Sequence, residues 1–329
     1  MNKPTSFESY SDIPVLLTLH VRSRNLERQL TTLKQAGVSR LYISIDGPRN
    51  DMDRNNQKLL HQIISKFKME FSELNIRESG TNQGIAVAMV SAIDWFFSKN
   101  KYGIVFEDDI EFNLDTLSFF EKALKNITNR PEILMVSGFQ PFYKKSLKLQ
   151  VEFTNYPQIW GWATHAFKWS QMRNFLFSRP LAPADLSREV RNFWRVGWQR
   201  ASEGYLDTWD LPIATGMIFS NKYCMLPPVN ITSNVGADTH STNTREMTFP
   251  IGLPIQEIQQ EIDFDIEPVL VNVLEINSRF EKEMYFIGLK HLLTPLLKHL
   301  DRYRFSRKKK EALLIRMSRN YQTRTETFG

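Results

Sequence analysis

Across its first 110 residues this chain alternates regularly between short apolar runs and longer stretches with apolar positions at helical spacing. "IPVLLTL" (13–19) is a continuous apolar run, the pattern of a strand buried on both faces. Leu26, Leu30 and Leu33 then mark one face of a helix starting near Asn25. "RLYISI" (40–45) is a second strand, and "QKLLHQIISKF" pairs apolar residues at helical spacing through Leu59, Leu60, Ile63, Ile64 and Phe67. A third strand is expected near "LNIRES", a helix in "GIAVAMVSAIDWFF" and a fourth strand at "YGIVF". Buried strands joined by helices need crossover connections, which are right-handed, so the predicted fold is α/β: a doubly wound, mostly parallel sheet with helices on both faces. Ligands of such sheets bind outside the carboxyl ends of the strands. Three polar stretches, "HVRSRN", "DGPRND" and "EDDIEFN", follow strands one, two and four and fall on that edge.

The last of these sets Glu107, Asp108 and Asp109 directly after an apolar strand. A solvated turn is the plain reading. The chemical one is a hard cation, Mg²⁺ or Mn²⁺, which takes one or two carboxylates plus phosphate oxygens and would relieve the repulsion among the three acids. Neighbouring strand residues point to opposite faces, so one direct ligand is expected rather than three. Asp46 ends the second strand, where a carboxylate can accept a nucleobase N–H, and Arg22 follows the first within reach of base or phosphate. "TNQGIAVA" opens a helix at Asn82 and Gly84 whose free N–H groups suit phosphate. Neither a P-loop nor a dinucleotide fingerprint is present.

Charge separates the chain into two parts. Residues 290–329 carry eleven Lys/Arg against three Asp/Glu, a local charge of +8 within a total of +6, so the preceding residues sum to −2. The main part is therefore not a basic nucleic-acid surface, and no nucleic-acid partner is expected. The tail combines Leu, Phe and Tyr positions with the run Arg307–Lys310. This predicts peripheral attachment to an anionic membrane surface, with a charged amphipathic helix as the plain alternative. No secretory leader or membrane-length apolar run is legible. The expected location is cytoplasmic, on the inner face of the cell membrane. The single cysteine, Cys224, excludes an internal disulfide and reads as a buried filler.

Taken in order, "PVLLTLHVRSRNLERQL", "YISIDGPR", "NQGIAVAMVSAIDWFF", "VFEDDIEF" and "WGWAT" resemble the nucleotide-diphospho-sugar glycosyltransferases of GT-A fold. The likeness is to bacterial hemolysin-like members and, more distantly, to N-acetylglucosaminyltransferase I. It covers residues 13–245. It implies inverting transfer of a sugar from a nucleotide-diphosphate donor to a hydroxyl of a saccharide or lipid-linked saccharide, as in bacterial surface polysaccharide synthesis, with Mn²⁺ or Mg²⁺ on the diphosphate. By the same resemblance Arg22 and Asp46 contact the donor, Asp109 is the direct metal ligand, Asp108 faces the ribose, and His240 is a second metal ligand. Trp160, Trp162 and Trp209 lie toward the acceptor, and the catalytic base is Asp210 or Asp207, with Asp210 preferred because it follows a tryptophan. The family's Trp-Asp-Asp-Trp setting of the base is absent, which leaves that choice open.

The tryptophans read equally as core, and His240 as an ordinary surface or core histidine. Two other functions remain: a nucleotidyltransferase, which usually carries a glycine-rich basic loop after the first strand where "HVRSRN" has no glycine, and a non-catalytic nucleotide-sugar-binding protein. The segment 140–245 reads as aromatic and irregular. The expected organisation is a glycosyltransferase domain over 1–260 and a helical basic extension over 261–329.

Overall fold

The computed structural model describes residues 13–142, 148–236 and 252–285. The predicted alternation is present: β1 (Val15–Leu19), α1 (Leu26–Gln35), β2 (Arg40–Ile45), α2 (Asp51–Lys66), β3 (Glu73–Glu78), α3 (Ile85–Phe97) and β4 (Tyr102–Glu107). A short strand β5 (Ile110–Phe112), helix α4 (Leu114–Ile127) and strand β6 (Ile133–Ser137) follow. Asn113 starts α4 by a reciprocal capping box with Thr116, which satisfies two otherwise free helix N–H groups.

Beyond β6 the chain is more regular than its sequence reads. It contains β7 (Leu149–Gln150), β8 (Glu152–Thr154), β9 (Trp162–His165), α5 (Ala166–Asn174), α6 (Arg188–Ser202), α7 (Asp210–Phe219), β10 (Tyr223–Leu226) and β11 (Thr232–Asn234). These strands are two to four residues long, too short for an alternation to show. Helix α7 is buried along most of its length, so it has no polar face to reveal a helical period.

The main sheet runs β3-β2-β1-β4-β9-β6-β10-β8. Strands β3, β2, β1 and β4 are parallel to one another, β9 lies antiparallel between β4 and β6, and β8 is antiparallel to β10. Alternate residues of β1 enter different cores. Leu17 and Leu19 pack with Leu30, Ile43, Phe106 and Phe120 on one face, while Leu16 packs with Tyr42, Phe96, Val105 and Trp162 on the other. Both faces are thus covered, as the continuous apolar runs require. Strand β3 departs from the expectation of four buried strands. It is the edge, and Ile76 stays 43% exposed.

The acidic loop leaves the main sheet as β5, which pairs antiparallel with β11, Ile110 opposite Asn234. A second small pair joins β7 to β12 (Ile262–Asp263). Helix α8 (Leu270–Arg279) continues into a π-helical turn, Phe280–Met284. Asn277 accepts from Thr154 Oγ1 at 2.7 Å, Tyr156 donates to Glu281 at 2.7 Å, and Phe280 is fully buried. Parts of the expected extension, Ile262–Asp263, Asn277 and Glu281, thus contact β7, β8 and Tyr156. The basic tail beyond Tyr285 lies outside the described residues. Among the described residues no helix is long and apolar enough to cross a membrane.

Candidate functional site

Three strand ends converge at the carboxyl edge of the sheet. Strand β1 delivers Arg22, whose Nη1 donates to Asp108 Oδ1 at 3.1 Å and to Asp109 Oδ2 at 2.9 Å. One guanidinium nitrogen thus bridges two carboxylates from the end of β4. The loop that carries them is strapped from below by α1. Asn25 Nδ2 donates to the Ile110 carbonyl at 2.9 Å, and Gln29 Nε2 to the carbonyls of Glu107 and Ile110 at 2.9 and 2.8 Å. These two amides sit on the apolar face of α1, where the leucine pattern conceals their role.

Burial, followed by the charges of Asp109 and Asp108, holds Glu107 well above the usual carboxylate range, and Asp210 adds to that effect. Burial beside Asp109 likewise raises Asp108, to about 7, against the opposing pull of Arg22. Four carboxylates, Glu107, Asp108, Asp109 and Asp210, therefore share one field with Arg22. On the other side of Asp109, a Cβ at Gly236 would overlap Asp109 Oδ2. The β11 exit is glycine there because the carboxylate occupies the space. Arg22 Nη2 also approaches the Gly236 carbonyl at 3.4 Å.

Strand β2 delivers Asp46, whose carboxylate accepts the backbone N–H groups of Gly47 and Gln83 at 2.8 and 3.0 Å and the Asn82 amide at 2.8 Å. Burial raises its pKa despite these bonds. His20 lies between the two acidic centres. Its backbone N–H points to Asp108 Oδ2 at 3.4 Å and its ring contacts the Gly47 carbonyl at 3.2 Å. Burial and then Arg49 lower its pKa, favouring the neutral ring. Asp53, 1% exposed and held by the Arg49 guanidinium at 2.7 and 3.2 Å, completes this side. Sequence reading did not single it out, and its position in the first turn of α2 marks it only as a helix-start acid.

The N-terminus of α3, expected to receive phosphate, is occupied by the chain's own anion. Asp207 accepts the N–H groups of Ile85 and Ala86 at 3.1 and 3.0 Å. Gly84, at φ +80°, makes room for it, since a Cβ there would overlap the carboxylate. Asp207 thus acts as a helix cap in this conformation, and of the two candidate bases Asp210 is the one whose charge reaches Glu107. Asp210 opens α7 and accepts a hydrogen bond from Thr208.

The three tryptophans separate. Trp162 and Trp209 are 1% and 3% exposed and stack on each other at 5.8 Å, so they are core residues rather than an open acceptor platform. Trp160 is partly exposed and packs edge-on against Phe139 at 4.5 Å. The register of Trp162 opposite Val105 and Ser137 sets the segment before it at the carboxyl edge. His240 lies outside the described residues.

Among the described residues no three His, Cys, Asp or Glu side chains cluster as a metal cage. The donor set is two convergent carboxylates beside an arginine. It fits a hard cation whose shell is completed by phosphate oxygens and water, the usual manner of Mg²⁺, with Asp109 and Asp108 as the residues that would hold it.

No family model and no curated protein matches the chain. Among solved structures, HddC from Yersinia pseudotuberculosis, complexed with GMP-PN, aligns at 14% identity over 44% of this chain and 60% of its own, with a TM-score of 0.27. A Bacillus anthracis protein assigned as a glucose-1-phosphate thymidylyltransferase, in complex with a sucrose, aligns at 14% identity over 55% of this chain and 82% of its own, with a TM-score of 0.31. The strand order and register of this chain form an α/β sheet with most strands parallel and the polar residues of three strand ends gathered at one edge.

Proposed function

We propose that this chain is a transferase acting on a nucleoside-diphosphate sugar, with a divalent cation on the diphosphate. The observation that carries the reading is the convergence of Arg22, Asp46, Asp108 and Asp109 from three strand ends on one edge. Asp46 is a hydrogen-bond acceptor for a base or ribose, exchanging Asn82 for the ligand. Arg22 and a cation at Asp109 offset phosphate charge, which the four acids alone would repel.

Two reactions suit such a site. In glycosyl transfer an acceptor hydroxyl attacks the anomeric carbon, the bond from that carbon to the diphosphate breaks, and the hydroxyl proton passes to a carboxylate. Asp210 is the candidate base, since it neighbours Glu107 and is not tied up as a helix cap. The acceptor is then a saccharide or lipid-linked saccharide. In nucleotidyl transfer a sugar 1-phosphate oxygen attacks the α-phosphorus of a nucleoside triphosphate and diphosphate leaves. The β1 exit "HVRSRN", which offers no glycine for close backbone approach to a triphosphate, favours the first.

The leaving group separates them. Purified protein given nucleotide sugars releases a nucleoside diphosphate if it transfers glycosyl groups. Given a sugar 1-phosphate and nucleoside triphosphates, it releases inorganic diphosphate if it transfers nucleotidyl groups. Diphosphate without nucleoside diphosphate would replace the first reading by the second, and neither product across a broad donor panel would leave a binding protein.

A further inference from the structure

Helix α6 carries Arg188, Arg191 and Arg195, spaced three and four residues apart and so on one face. Val190 and Trp194, on an adjoining face of the same helix, are buried. With Arg179 from the preceding loop, these arginines line a cavity of about 300 Å³ whose other walls are Ala182, Asn192 and Phe219. Among the described residues, no carboxylate forms an ion pair with any of the four. Arg179 lies over the Trp198 ring at 5.8 Å, and Arg195 donates to Asn192 at 3.3 Å.

This arrangement works against the fold on its own, because like charges at these helical spacings repel. Phe219, the last residue of α7, also lines the cavity, but a helix C-terminus carries only about half an elementary negative charge against four guanidinium groups. Residue choice narrows the ligand. Residues 175–205 contain five arginines and no lysine, and the planar guanidinium fork matches the paired oxygens of phosphate where an ammonium acts only as a point charge. The cavity is also separate from the acidic site. Asp210 and Phe219 are the first and last residues of α7, about 14 Å apart at the helical rise.

We propose that this cavity binds a phosphate-bearing anion, a phosphate monoester or diphosphate group, at a site distinct from the acidic edge. The group is carried by a soluble ligand or by a lipid headgroup, and the phosphate chemistry is common to both.

The test titrates inorganic diphosphate into the full chain in EDTA, with calorimetry and tryptophan fluorescence as readouts, and in parallel sediments the protein with phosphatidylcholine vesicles with or without phosphatidate. Arg191→Ala/Arg195→Ala removes half the cluster from the solvent side of α6, and Arg22→Ala is the control at the acidic site. Saturable diphosphate binding that weakens at least tenfold in the double variant and is unchanged in Arg22→Ala supports a soluble ligand. Absence of diphosphate binding, with phosphatidate-dependent sedimentation that falls at least tenfold in the double variant, supports a headgroup. The proposal is overturned if the double variant matches wild type in both formats, if neither ligand binds, or if Arg22→Ala alone abolishes diphosphate binding.

Discussion

Asp207 Oδ2 accepts the backbone N–H of Ile85 at 3.1 Å, tying a loop before α7 to the first turn of α3 across 122 residues of sequence. The same carboxylate takes the N–H of Ala86. A capping carboxylate is worth about 0.5–2 kcal/mol, so Asp207→Ala should lower stability by that amount in chemical denaturation. Asp210→Asn should leave stability nearly unchanged and lower turnover by roughly 10²- to 10⁴-fold. Reversal of the two phenotypes would move the base to Asp207.

Arg22 is the countercharge of a buried acidic pair, with its side chain 18% exposed and those of Asp108 and Asp109 11% and 14%. Arg22→Gln leaves two carboxylates facing each other without a cation and should destabilise the fold by about 2 kcal/mol, less than a fully buried pair because some solvent reaches it. In a chain of 329 residues that is a fall in melting temperature of roughly 3 °C. Asp109→Ala removes a repelling charge as well as a partner and should shift melting by much less.

Gly236→Ala tests whether the Asp109 position is set by space. The new methyl group would occupy the room of Asp109 Oδ2, so the carboxylate must turn away from Arg22. Activity should fall toward that of Asp109→Ala although every acid is retained. Near-normal activity would show that the carboxylate has room to shift.

His165 supplies a pH dependence away from the site. It is 6% exposed, and burial, with the nearby Lys168 charge, lowers its pKa from 6.5 to about 4. The unfolded chain then binds a proton below pH 6.5 that the folded chain refuses until about pH 4. Stability is full above pH 6.5 and falls as pH drops through this window, by on the order of 3 kcal/mol. Denaturation between pH 4 and 7 should show a flatter slope in His165→Gln than in wild type, and equal slopes would contradict the assignment.

What the sequence made legible follows from the physics of each element. Strands β1, β2 and β4 are covered on both faces, so they read as uninterrupted apolar runs, and the acids at their ends stand out by contrast. Strand β9 was hidden because four residues carry no period and its place between β4 and β6 is decided by pairing with segments far along the chain. The tryptophans were ambiguous for a different reason. An aromatic ring serves a core or a sugar equally well, and only the burial of Trp162 and Trp209 separates them from Trp160. Asp207 had no signal as a cap, since caps are recognised by nearness to a helix start and this one lies 121 residues or more away.

Cation-dependent transfer is read from release of nucleoside diphosphate from nucleotide sugars by the purified full chain, with Mn²⁺ or Mg²⁺ and with EDTA, for wild type and Asp109→Ala. Release should stop in EDTA, return when the cation is restored, and be absent in Asp109→Ala while the melting temperature of that variant stays close to wild type. Release that continues undiminished in EDTA and in Asp109→Ala would remove the cation and Asp109 from the reaction.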